Sequence, residues 1–197
     1  MPAPTVRRHI QQGLRALLPL LAVMWSLLSM QPAHAQGVEL ATLQASKSDG
    51  ALNLDFVARV TLPKAVEDAL LRGVPIYFVA EAQLYRNRWY WRDERVARVS
   101  RSWRVAFQPL TSSWRVSLAG FNQTFPSMAE ALAAVSRSGG WKVVELSQLD
   151  FAKSFYLEFN YRLDTTQLPG PMQFGLGGLG GTGDWTVGVS RTLRVEL

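Results

Sequence analysis

The chain has no cysteine, and its only histidines, His9 and His34, lie in the first 35 of its 197 residues. Without thiols no disulfide framework can form, whatever the compartment. Lipid attachment at an N-terminal cysteine is excluded for the same reason. Once residues 1–35 are removed, no imidazole remains either. Zinc, copper and iron sites built on thiolate or imidazole then have no ligands, and neither a Ser-His-Asp nor a Cys-His nucleophile can be assembled. Other signatures are missing too. Gly188-Val189-Ser190-Arg191-Thr192 lacks the closing glycine of a nucleophile elbow, and there is no Ser-x-x-Lys pair and no Asp-rich calcium loop. No metal or cofactor is implied.

What stands at the N-terminus follows the secretory plan. Arg7, Arg8 and Arg15 give a positive start with no acidic residue, and an apolar run extends from Ala16 to Met30. Ala33-His34-Ala35 is a small-x-small cleavage site that makes Gln36 the new N-terminus. The run is shorter than the ~20 residues that cross a bilayer as a helix, so a cleaved signal is expected rather than an anchor. The expected organisation is a signal peptide over 1–35 and one domain over 36–197, long enough to bury a core, in the periplasm.

The formal charge of +6 falls to +3 when the three leader arginines leave. That weakens the case for nucleic acid, which an exported protein would not meet in any event. Lysine is scarce in the remainder, where only Lys47, Lys64, Lys142 and Lys153 occur among many arginines. Arginine favours bidentate pairing with carboxylates or phosphates.

The dominant pattern is period two. Leu52, Leu54, Phe56, Ala58, Val60 and Leu62 alternate with Asn53, Asp55, Arg59 and Thr61, and Lys47-Ser48-Asp49-Gly50 supplies a turn that makes Val38–Ser46 the hairpin partner. Comparable runs span Ile76–Leu84, Ala97–Phe107, Trp114–Leu118, Phe155–Leu163 and Trp185–Leu197, with a shorter strand at Trp141–Leu146. Two helices interrupt them. Pro63–Arg72 has proline in its first turn and Gly73 at its end. Ser127-Met128-Ala129-Glu130 is a capping box opening Met128–Ser136, closed by Gly139-Gly140. The expected fold is all-β dominated: an antiparallel, β-sandwich-like domain of about seven or eight strands, with two short helices over an end or edge.

The stretch Ser102-Trp103-Arg104-Val105-Ala106-Phe107-Gln108-Pro109-Leu110-Thr111-Ser112-Ser113-Trp114-Arg115-Val116-Ser117 carries a resemblance. A basic strand runs through a Leu-Thr turn into an aromatic-Arg-Val-Ser strand. Phe125, the Glu130-Ala131-Leu132 helix, the Trp141 strand and the closing Asp184-Trp185 strand follow. Together with the leader, this resembles the bacterial family called domain of unknown function 4390, over essentially the whole exported part. The resemblance implies an exported protein of this size. It also implies a link to envelope signalling, because members are often encoded beside a membrane sensor kinase. It supplies no catalytic residues. The glycine-rich loop at 175–183 looks longer than the family's.

Three features invite a functional reading, each beside a plainer one. Gly175-Leu176-Gly177-Gly178-Leu179-Gly180 matches G-x-G-x-x-G, but no βαβ unit surrounds it, so it reads as a loop before the last strand. Trp89-Tyr90-Trp91 beside Arg92-Asp93-Glu94 offers aromatics for a partner or a sugar ring. The plainer reading is a hairpin tip with aromatics paired across strands and charges in water. Adjacent Asp93 and Glu94 point apart on a strand or turn, so they cannot flank one glycosidic bond. Finally, Arg86, Arg88, Arg92, Arg95, Arg98, Arg101 and Arg104 crowd one segment, whose functional reading is a basic strip that meets an acidic partner, a phosphate or anionic lipid headgroups. A three-residue step should split such arginines between the two faces of a strand. Arg101 and Arg191 fall on otherwise apolar faces, where an arginine needs a carboxylate or a place at the rim, or else marks an anion or partner site.

The expected function is a non-catalytic envelope interaction module that binds a protein partner, a membrane sensor kinase in the family's context. Its candidate surface is Arg86, Arg88, Trp89, Trp91, Arg92 and Arg95. The alternatives are a carboxylate-based enzyme or binder acting on cell-wall glycan, and a small outer-membrane β-barrel.

Overall fold

Alternation converts directly into strands. A computed structural model describes residues 37–90, 92–167 and 187–196. Ala33, Ala35, Gln36, Trp91, Trp185 and the glycine motif at 175–180 lie outside them. Nine strands occur among the described residues: β1 (Gly37–Ser48), β2 (Ala51–Thr61), β3 (Ile76–Arg86), β4 (Glu94–Gln108), β5 (Ser113–Leu118), β6 (Phe121–Phe125), β7 (Arg137–Glu145), β8 (Phe155–Leu163) and β9 (Gly188–Val195). Two helices, α1 (Lys64–Leu71) and α2 (Met128–Val135), accompany them. The strands form two antiparallel sheets, a three-stranded one in the order β1-β2-β7 and a six-stranded one in the order β6-β5-β4-β3-β8-β9.

The two inner faces make the core. Leu52, Leu54 and Phe56 of β2 meet Phe78, Ala80 and Ala82 of β3 and Leu157, Phe159 and Tyr161 of β8, all buried. Phe56 sits at the centre, with its ring 4.9 Å from Phe159, 5.6 Å from Tyr161 and 6.2 Å from Trp103. Tyr161 is fully buried, and its hydroxyl donates to the Val135 carbonyl at 3.1 Å, near the end of α2. One bond thus satisfies both the phenol and a helix-terminal carbonyl. The core side chains of both sheets point into the space between them. That is the reverse of an outer-membrane barrel, and the two sheets form no closed barrel. No helix among the described residues is long and apolar enough to cross a membrane.

The expected fold class stands, with local corrections. β6 was not expected, because its middle residues, Asn122-Gln123-Thr124, are polar and exposed. Its signal is the turn before it: Ala119 and Gly120 both have positive φ, at 48° and 89°, as a two-residue hairpin loop of this hand requires. Gly139-Gly140 do not close α2. The helix ends at Val135, the chain enters β7 at Arg137, and both glycines lie inside that strand. There the β2–β7 register slips, Gly140 has φ +58°, and its N–H donates to Asp55 Oδ1 at 2.7 Å. The glycines serve a bulge, where a positive φ disfavours a Cβ. The capping box forms in modified form: Ser127 Oγ accepts from the Glu130 N–H at 3.2 Å, and Glu130 Oε1 accepts from that hydroxyl rather than from the Ser127 backbone.

Candidate functional site

The arginine-rich segment lies in the β3–β4 hairpin, from the end of β3 through the tip and along β4. Arg86 and Arg88 both pair with Glu94 Oε2. Asp93 accepts from the Arg88 backbone N–H at 3.0 Å and, through its other oxygen, from the Tyr156 hydroxyl on β8 at 2.8 Å. The Asn87 N–H donates to the Ser154 carbonyl at 3.0 Å. These contacts hold the tip to itself, to β8 and to the residue before it. Above them Trp89 is 91% and Tyr90 72% exposed, their rings edge to face at 5.0 Å. These are sequence neighbours in contact, and the expected pairing across strands is not what holds them. Arg92 and Arg95 are exposed. Of the candidate surface, Arg86, Arg88 and Trp89 converge at the tip, and Arg95 lies further along β4. Trp91 is outside the described residues.

The electrostatics of the tip follow from these contacts. The Arg88 N–H, then the Tyr156 hydroxyl, holds the Asp93 carboxyl below its usual range. Arg86 does the same for Glu94. Burial and the Asp93 hydrogen bond push the Tyr156 phenol up to about 12. Both carboxylates are thus held ionised, the opposite of the raised pKa a general acid needs. Among the described residues no three Asp, Glu, His or Cys side chains converge as a metal site would require.

The arginine strip is not split as a plain strand would split it. Leu84 faces Ala97 but Tyr85 faces Arg95, so Val96 is an extra residue in β4. This bulge reverses the alternation and returns Arg95 to the face that carries Arg98 and Arg104. On that outer face Arg98 pairs with Glu81 at 2.8 Å, and Arg95 donates to Gln83 Oε1 at 3.3 Å. Tyr85 stacks on Tyr156 at 5.3 Å. The Arg98 hydrogen bond lowers the Glu81 pKa, and Glu81 raises that of Arg98.

Arg101 is placed differently from the outer arginines. It faces inward opposite Ala80, half-buried, yet among the described residues no carboxylate lies within ion-pair distance. Its Nη1 donates to Ser138 Oγ at 2.6 Å, and the guanidinium lies 5.2 Å from the centroid of the Trp141 ring. A hydroxyl and a π face stand where a counterion was expected. Burial lowers its pKa with no opposing partner. Arg191, on β9, is exposed at the rim, one of the two placements expected for it. Sequence reasoning missed Tyr156, Ser138 and Trp141, each distant in the chain from the arginine segment. The one available signal was Arg101 itself, a cation on an apolar face.

The chain belongs to the family described as Domain of unknown function (DUF4390), whose model matches residues 35–193. No curated protein and no solved structure matches it.

Proposed function

We propose that this is an exported envelope protein whose β-rich domain acts without catalysis, binding a protein partner through the β3–β4 tip. The observation that carries the reading is the pair of aromatic rings, Trp89 and Tyr90, held in water on a tip tied down at its base. Exposing two large rings costs solvation, while the ties limit the conformational freedom a partner would otherwise have to remove. Trp, Tyr and Arg are the side chains that most often dominate binding energy at protein interfaces. The partner we infer has an apolar slot for the rings and carboxylates at its rim, facing Arg92 and Arg95. The periplasmic part of a membrane sensor kinase is the class of protein that the family's setting favours. The leader over 1–35 supports export, and the ionised state of Asp93 and Glu94 argues against acid catalysis at the tip.

In-cell photocrosslinking of the full chain tests this. A photoreactive residue at Tyr90 is expected to trap a discrete envelope protein, and Arg92→Glu to abolish the adduct. The same probe at Leu110, fully exposed at the opposite end of β4, is expected to trap nothing discrete. Equal trapping at both positions, or glycan in place of protein at Tyr90, contradicts the proposal.

A further inference from the structure

The six-stranded sheet is wider than the three-stranded sheet packed on it. Its surplus, the inner face of β5 and β6, is covered in part by α2, which buries Ala131 and Val135 and packs Met128 and Leu132 on the core. Nearer the β5–β6 turn the cover ends. Leu118 and Phe121, directly paired across the strands, are half-buried and 82% exposed respectively. The result is a cleft of about 500 Å³ bounded by β4, β5–β6, α2 and the first residues of β7. This volume lies within the range of small-molecule sites.

The lining is amphipathic in a specific sense. Val116, Leu118 and Phe121 provide an apolar wall, Arg101 and Arg137 provide two guanidiniums, and among the described residues no Asp or Glu lines the cleft. Arg137 uses its Nε on the Ala133 carbonyl at 2.9 Å, which leaves both Nη groups free of any described partner. Arg101 spends one N–H on Ser138, and the rest of its fork has no acceptor among the described residues. A guanidinium has five donors in a planar array that matches a carboxylate two bonds at a time. Half-burial without a counterion is costly, and an anion in the cleft removes that cost.

We propose that this cleft binds an amphipathic carboxylate, its head taken by Arg101 and Arg137 and its apolar body laid on Val116, Leu118 and Phe121. The site is separate from the tip, and either can fail without the other. The ligand's chemistry is that of an organic acid with a hydrophobic tail, either a free acyl chain or the C-terminus of a peptide ending in an apolar residue.

Calorimetric titration of the full chain with octanoate and with N-acetyl-Leu-Phe distinguishes the sources. Saturable one-to-one binding of either supports the site, and the tighter of the two identifies the source. Octanamide, equal in tail but uncharged, is expected to bind at least about tenfold more weakly, since a charge-assisted pair is lost. Arg137→Gln is expected to weaken the acid by about fivefold or more without moving the melting temperature, because Arg137 is exposed. Arg101→Lys, which keeps the charge but not the fork, is expected to weaken it likewise. Octanamide binding as well as octanoate, unchanged affinity in Arg137→Gln, equal competition by inorganic phosphate, or no binding of either acid overturns the proposal.

Discussion

On the outer face of β4, Arg98 meets the Glu81 carboxylate at 2.8 Å; three residues on, at the inner face, Arg101 meets a hydroxyl and an indole and, among the described residues, no carboxylate. The same side chain on the same strand is thus neutralised on one face and left as a net cation on the other. The difference lies in what the neighbouring strands present. β3 offers Glu81 and Gln83 outward and only small or apolar residues inward. The inner partner comes from β7, across the two sheets, and β7 has Ser138 where it faces Arg101. Paired arginines contribute to the surface of the fold, whereas an unpaired, half-buried one is a cost that a ligand can relieve.

Stability measurements are expected to separate the two faces. Arg101→Ala should cost about 1–2 kcal/mol, from the lost Ser138 hydrogen bond and the stem packed over Trp141. Arg98→Ala, on an exposed guanidinium, should lower the urea midpoint by less than half as much. Arg101→Met keeps the stem and removes the desolvated charge, so it should unfold at higher urea than Arg101→Ala. Equal midpoints for Arg98→Ala and Arg101→Ala would mean that the two environments are energetically alike. Gly140→Ala, next to the wall that holds Ser138, is expected to cost about 1 kcal/mol because a Cβ is disfavoured at its positive φ. An unchanged midpoint there would mean the bulge relaxes freely.

Acid sharpens the contrast. Glu81, Asp93 and Glu94 are held below their ordinary values of 4.5, 3.8 and 4.5. A carboxylate with a depressed folded pKa adds stability that is present above its unfolded value and lost as pH falls through the folded one. The outer face and tip should therefore be at full strength above about pH 5 and weaken below about pH 4. The Arg101 cleft, lined by no carboxylate among the described residues, should not change over that interval. Glu81→Gln is expected to make the acid limb of urea stability shallower, and an unaltered limb would refute this. The smallest effect is local: Tyr156→Phe removes one tie to Asp93 and should speed hydrogen exchange at the Arg88 amide without moving the global midpoint. Unchanged exchange would mean that Tyr156 does not brace the tip.

Much of the fold was legible because burial on one face imposes period two, and Leu52–Leu62 and Phe155–Leu163 carry it almost without interruption. β6 was not, because an edge strand under a short helix has little to bury and its middle turns polar. The arginine strip was misjudged for a different reason. Alternation assumes an unbroken ladder, and the extra Val96 reverses it, a slip that composition does not mark. The site was legible only in part. Crowded arginines and aromatics identify the tip, but the ties from Tyr156 and Ser154 depend on which strand lies beside β3. Likewise Arg101 was visible as an anomaly, while its surroundings depend on a second sheet that pairs nowhere with β4.

The contrast between the two faces can be read most directly from the arginine Nε–H resonances of the full chain, followed by nitrogen-edited NMR during octanoate addition. The Arg101 and Arg137 signals are expected to shift together and saturate, while those of Arg86, Arg88 and Arg98, already engaged with Glu94 and Glu81, stay in place. Movement of Arg98 and Arg86 to the same extent, or stillness of Arg101, would contradict the account.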